Sequence, residues 1–457
     1  MIKRKIVIIG AGPCGLGAAY RLKELGFCDF VVLEKEKYVG GLSASFSDKN
    51  GFVWDIGGHV VHSHYDYFSK VFFKLLSGKY LEHERESWIW ILNKFVPYPF
   101  QNNLHYLPKK AQWECIQGLL EVALQSKKIR AENFEEWILS VFGKGIAKYF
   151  LLPYNFKVWA HPAKKMSKDW IADRVSVINI ERAIQNTFLE KDDISWGPNN
   201  MFQYPLKGGT GFIWESAKNC LPENNFLMNS EVVEVDIKKN YLKTRNGQEI
   251  FYKHLISTAP IVCLSEMAKL QQNLLLKKYL NYSTVHVVGL GFKGKAPKHL
   301  KTKCWMYFPE DNSLFFRATV LSNYSPFNVP DSEHNWSLMF EVSESRYRTI
   351  NKKTLVKDVI VGAKNSKLIN NKTEIISKWL YTAPFAYPIP TLSRDKIINK
   401  TLLFLEKNNI YSRGRFGAWK YEVANLDHSF MQGVEVVNRL LKGEEEVTVW
   451  KPNKVNK

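Results

Sequence analysis

The chain has 457 residues, 45% hydrophobic, 24% charged and 14% aromatic. At about 150 residues per domain that leaves room for two or three domains with real cores, and so many aromatics exclude a disordered or low-complexity protein. The formal charge of +20 raises nucleic acid or an anionic substrate as partner. The 64 basic residues are spread rather than bunched, and only 14 are Arg, so each Arg is worth inspecting and no nucleic-acid partner is expected.

The longest stretch without charge, Ile6 to Tyr20, is broken by glycines and is shorter than the ~18 residues of a membrane helix. Lys3-Arg4-Lys5 lacks the continuous apolar run and cleavage site of a signal peptide. No membrane partner and a cytoplasmic location are expected. Cysteines 14, 28, 115, 220, 263 and 304 form no CxxC pair, which argues for reduced thiols.

In chain order, Lys5–Gly10 (KIVIIG) reads as a buried parallel strand, Leu16–Leu25 as a helix and Asp29–Glu34 as a second strand, a β-α-β unit. Pro108–Lys128 and Asn133–Phe150 read as helices, the second capped by Asn133 with Glu136 three residues on and interrupted at Gly143. Ser167–Leu189 is expected to be helical as well. Short strands follow: 231–237, 241–244, 254–258, 285–292, 304–308, 314–321 and 336–342, with Asn246-Gly247 as a hairpin turn. Ser429–Leu441 should be the last helix, ahead of a Lys-rich tail. The fold class is α/β: a Rossmann-type domain with a helical insertion domain and an antiparallel β-sheet domain. The expected division is 1–97 and 201–260 (Rossmann domain and its return), 98–200 (helical), 261–408 (sheet), 409–445 (C-terminal cofactor segment) and 446–457 (tail).

Gly10-Ala11-Gly12-Pro13-Cys14-Gly15 is GxGxxG between a strand and a helix. Its first glycine permits the turn, its second admits a pyrophosphate to the backbone, and its third lets helix and strand pack. Glu34, 19 residues after Gly15, suits the ribose hydroxyls. Gly289-Leu290-Gly291-Phe292-Lys293-Gly294 fits the same expression but meets Pro297 at once, and reads as a strand end and turn. Glu34 with Gly40-Gly41, Leu42 and Ser43 resembles the FAD enzymes related to glutathione reductase and the amine oxidases. That resemblance implies FAD held by Gly10, Gly12, Pro13, Cys14, Gly15, Glu34, Lys35, Gly41, Leu42, Ser43, Gly57, Gly58 and Val232. His59, His62 and His64 have no well-spaced acid or Cys apart from Asp66, and no metal is expected.

Arg174, Arg317, Arg413 and Arg415 sit in apolar or aromatic settings, where an anion or an internal ion pair must meet the charge. Strand alternation would put Phe315, Arg317 and Thr319 on one face. Around the arginines recur clusters mixing aromatics and amides: PYPFQNN, PYNFKVWAHP, WGPNN, WMYFPEDN, SNYSPFN, AYPIPTL and WKYEVANLDHSF. Rings to stack on a base, Arg and Tyr to hold a diphosphate and amides to read a sugar suggest a nucleotide-sugar.

These segments, from Ile6 to about Leu441, are similar to the UDP-galactopyranose mutases of the eukaryotic type. The resemblance implies a flavin-dependent isomerase. In it the reduced FAD N5 attacks the anomeric carbon of UDP-galactopyranose, UDP leaves, and the sugar recloses as the furanose with no net redox. NADPH is the implied transient reductant. Residue by residue it implies Arg174 and Arg317 at the diphosphate and galactose, and Tyr324, Tyr387 and Tyr421 on the diphosphate. It places Phe100, Gln101, Asn155 and Trp159 around uridine, Asn199, Trp305 and Tyr307 around the sugar, and His59 on a mobile loop beside the flavin. Arg415, Asn425 and Ser429 fall in the C-terminal flavin segment. The rival readings are a mutase of another nucleotide-sugar and an amine oxidase-like oxidoreductase without the diphosphate clamp.

Overall fold

The structure, a computed structural model, describes residues 2–125, 130–171, 178–194, 200–271 and 273–456. Strand Ile2–Ile9 ends in four buried residues, Ile6 to Ile9. It pairs in parallel with Phe30–Leu33 on one side and Glu249–Ser257 on the other. Helix Pro13–Glu24 crosses between the first two, which is the β-α-β unit expected. Val232–Asp236 and Tyr241–Thr244 extend this sheet through the Asn246-Gly247 turn, where Gly247 takes φ +82°. Phe226–Leu227 and Ile410–Ser412 complete its seven strands among the described residues. Apolar clusters cover both faces, as a parallel sheet requires.

A second seven-stranded sheet runs in the order Ile375–Pro388, Tyr282–Lys293, Asn335–Glu344, Arg317–Thr319, Trp305–Tyr307, Ser87–Ile91 and Lys94–Pro97. All neighbours are antiparallel except Trp305–Tyr307 with Ser87–Ile91. Helices Lys109–Ala123, Phe134–Ile146, Leu152–Trp159 and Ile180–Phe188 form the helical layer, and its core is continuous with one face of this sheet. Asn133 caps its helix by accepting the Glu136 N–H at 3.0 Å, and the helix bends at Gly143, φ +70°.

Several expectations change. Gly289 and Gly291 lie inside strand Tyr282–Lys293 rather than at its end. A Cβ on either would come within 2.6 Å of the Trp54 or Phe52 ring, so the glycines leave the sheet flat enough for aromatics to lie on it; Gly294, φ +90°, makes the turn. The 14-residue strand Ile375–Pro388 contains two prolines and looks irregular in sequence, yet it lies at the sheet edge, where a missing N–H costs no ladder bond. Helices Leu355–Asn365 and Arg394–Lys407 were not anticipated. Residues 167–171 and 178–179 are not helical, the described helix begins at Ile180, and residues 172–177 lie outside the described ones. The Lys-rich tail is not loose throughout: Glu446, Thr448 and Val449 are buried, and Glu446 pairs with Arg413. No helix among the described residues is long and apolar enough to cross a membrane.

Candidate active site

The turn between the first strand and helix is built on its glycines. Gly10 adopts φ +95°, and a Cβ on Gly15 would stand 1.9 Å from the Gly10 carbonyl oxygen, so helix and turn meet only without a side chain. Pro13 opens the helix and no side chain caps it, which leaves first-turn N–H groups and the positive dipole end for an anion. The Gly40 N–H donates to the Ala11 carbonyl at 2.9 Å and brings the second glycine pair alongside the first. Glu34 is buried and accepts the Ala11 N–H at 2.7 Å and the Glu36 N–H at 3.0 Å. Each carboxylate oxygen keeps a second lone pair that a hydroxyl can use.

These residues open on a cavity of about 800 Å³. Of the cofactor residues expected, Gly10, Gly12, Pro13, Cys14, Glu34, Lys35, Gly41, Leu42, Ser43, Gly57, Gly58, Val232, Arg415, Asn425 and Ser429 line it, and Gly15 packs beneath. The glycine cradle, the helix N-terminus and the ribose-type acid fit FAD, and Pro260, Cys263 and Met267 add an apolar surface beside Val232. The Cys14 thiol is buried, and the six cysteines are free thiols.

His59, Trp305, Tyr307, Arg317, Tyr387 and Tyr421 line the same cavity. Arg317 makes the internal ion pair considered above: its Nε and NH2 donate to the two oxygens of Glu341 at 2.5 and 2.8 Å. Burial opposes the Arg317 charge, but Glu341 outweighs it and holds the guanidinium protonated. Glu341 also accepts the Gly58 N–H at 3.0 Å, which ties the Gly57-Gly58-His59 segment to the clamp. Phe315 does not share the Arg317 face: it packs into the outer cluster, while Phe316 joins the core on the other side of the sheet. Burial, then the Arg415 and Arg317 charges, push His59 down to about 4 against the pull of Glu341, so its imidazole is neutral at pH 7. Arg415 donates to the carbonyls of Ala386 and Ala424 at 2.9 and 3.0 Å and stands 5.0 Å over the Tyr387 ring. The Trp305 indole donates to the Tyr307 hydroxyl at 2.6 Å.

Other expected residues lie elsewhere. Phe100, Gln101, Asn155 and Trp159 do not line the cavity: Phe100 stacks on Phe150, Trp159 sits edge-on to Trp170 and Tyr421, and the Asn155 amide donates to its own helix at Leu151. Tyr324 is buried behind Phe202 and Tyr204. Arg413 is structural, paired with Glu406 and Glu446. Arg174 and Asn199 lie outside the described residues. Missed by sequence were Arg85 and Glu341 on the wall, the first with its guanidinium 4.7 Å over Trp305. Arg85 carried a signal, as another scarce arginine beside aromatics, and Tyr98 of the PYPFQNN cluster lines the wall as well. His64 comes together with Asp427 and His428, donor atoms within 4.8 Å of one another, through a tertiary contact that spacing along the chain does not reveal.

The model of a family described as flavin containing amine oxidoreductase matches residues 13–361. A crystal structure of reduced UDP-galactopyranose mutase is 45% identical, with 100% of this chain and 98% of that one covered and a TM-score of 0.97. A putative protoporphyrinogen oxidase from Exiguobacterium sp. 255-15 is 14% identical over 96% of this chain and 99% of its own at a TM-score of 0.75, a likeness of fold alone. Among curated proteins, lysine-specific histone demethylase 1 of Caenorhabditis elegans is 39% identical over 59 residues, 13% of this chain and 8% of that protein. This chain therefore spans only a small part of that relative. The chain belongs to the flavin containing amine oxidoreductases and, within them, to the UDP-galactopyranose mutase family.

Proposed function

We propose that the protein interconverts UDP-galactopyranose and UDP-galactofuranose on reduced FAD, with no net redox. The observation that carries this is a dinucleotide cradle and an Arg317–Glu341 clamp on one cavity wall, in a chain that matches a mutase end to end. When bound and reduced, FAD supplies a nucleophilic nitrogen, N5, for the anomeric carbon.

The protein contributes position and charge. The glycines of the first turn, Glu34 and the C-terminal residues Arg415, Asn425 and Ser429 hold the cofactor. Arg317, with Tyr387 and Tyr421, meets the diphosphate, and Arg174 is assigned beside it. Negative charge on the departing diphosphate grows as the anomeric bond breaks, so a fixed guanidinium stabilises the transition state more than the ground state. Trp305 and Tyr307 bound the sugar, and neutral His59 offers a hydrogen bond rather than a charge. Phe100, Gln101, Asn155 and Trp159 are assigned to the uridine side, behind the aromatic wall of the helical layer. The domain division given above, NADPH as reductant and a cytoplasmic location belong to the same proposal.

The test is to incubate the reduced protein with UDP-galactofuranose and separate the products. UDP-galactopyranose should form after dithionite or NADPH treatment and not with oxidised protein under oxygen. Equal rates in both states would refute the reading, and turnover only of another UDP-sugar would shift it to that substrate.

A further inference from the structure

The segment 57–64 runs along the cavity wall and is fastened near both ends by a buried carboxylate. Near its start the Gly58 N–H donates to Glu341. At its end the His64 N–H donates to Asp427 Oδ2 at 2.9 Å, and the His64 Nδ1 lies 2.8 Å from the same oxygen. Asp427 is fully buried in the first turn of helix Leu426–Lys442. Its Oδ1 accepts the His428 N–H at 2.8 Å, with the His428 Nδ1 3.2 Å away. The entry to this helix presents Asn425 and Ser429 to the cavity. One carboxylate therefore joins the loop that carries His59 to the element that lines the flavin side.

We propose that Asp427 is a positioning residue which, through His64, holds the 57–64 loop and its His59 in register with the C-terminal helix. A buried carboxylate persists only where hydrogen bonds and a compensating charge or dipole surround it. Two backbone N–H groups, two imidazoles and the helix N-terminus do so here. Burial opposes the charge, but the neighbouring His428 and His64 imidazoles and the His64 N–H outweigh it and keep the carboxyl well below its usual range. The rival occupant of the same three side chains is a divalent metal. Hydrogen bonding is favoured because each oxygen is already engaged by a backbone N–H, and the His64 contact has the length of an N–H···O bond.

The test uses FAD-loaded protein and the variants His64→Ala, His64→Asn, Asp427→Asn and the double variant His64→Ala/Asp427→Asn. Hydrogen exchange of the peptide spanning 57–64 is followed by mass spectrometry, together with metal content and kcat and KM for UDP-galactofuranose. His64→Ala and Asp427→Asn should each speed exchange and lower kcat about tenfold at unchanged KM, and the double variant should be no worse than either. His64→Asn, whose amide nitrogen stands where Nδ1 does, should keep most of both. Unchanged exchange, additive losses, a stoichiometric metal that Asp427→Asn removes, or loss of FAD in these variants would each overturn the proposal. The kcat arm rests on the mutase reading; the exchange arm does not, so inactive wild-type protein refutes that reading and leaves the positioning role to be decided by exchange.

Discussion

Replacing Arg317 by Ala leaves the Glu341 carboxylate, 3% exposed, with the Gly58 N–H as its remaining described hydrogen-bond partner. Breaking a buried pair from one side costs about 3–5 kcal/mol, and because the Arg317 side chain is 21% exposed the lower end applies, about 3 kcal/mol. The substrate should suffer separately. Arg317 stands on the cavity wall with no described partner on its NH1, so a diphosphate there gains a charge-assisted contact worth about 2 kcal/mol, about thirtyfold in affinity. Urea unfolding at saturating FAD reads the first effect and calorimetric titration with UDP reads the second. Adding Glu341→Gln to Arg317→Ala should restore most of the stability, by removing the stranded charge, and none of the UDP affinity. Arg317→Lys should recover part of both, since an ammonium cannot span both carboxylate oxygens. Unchanged UDP affinity in Arg317→Ala would reduce this residue to a structural ion pair. A stability loss below about 1 kcal/mol would refute the pairing argument.

Glu34→Leu should yield colourless protein, because it removes the ribose acceptor and strands the Ala11 and Glu36 N–H groups; the flavin absorbance of the purified protein checks it. Gly289→Ala, whose new methyl would lie 2.6 Å from the Trp54 ring, should cost about 1–3 kcal/mol in denaturant unfolding with FAD content unchanged. In the Arg413–Glu446 pair, burial raises the Glu446 carboxyl but Arg413 outweighs it and lowers it below 4.5. Its contribution is therefore full above pH 4.5 and lost as pH falls through the folded value. Glu446→Gln should remove that part of the acid loss in a pH series of urea midpoints, at the expense of stability near neutrality. His64→Asn should protect the loop amides where His64→Ala does not, as set out above.

What could be read along the chain is local. The β-α-β unit, the GxGxxG turn, the acid at Glu34 and the Asn133 cap each depend on residues within about 25 positions of one another, and their geometry follows from glycine conformations, helix ends and strand burial. The substrate wall is different, because Gly58, Arg317 and Glu341 meet only when the second sheet forms and sets Arg317 opposite Glu341 on the neighbouring strand. Sequence could mark Arg317 as a charge that needs a partner, but whether that partner is an anion or a carboxylate is decided across strands. The same holds for Arg413, whose partners lie 7 and 33 residues away, and for Asp427, joined to His64 over 363 positions. Gly289-x-Gly291 shows the converse: a motif with the right letters whose glycines serve two aromatic rings, Phe52 and Trp54, from far along the chain, since only tertiary packing brings those rings against it.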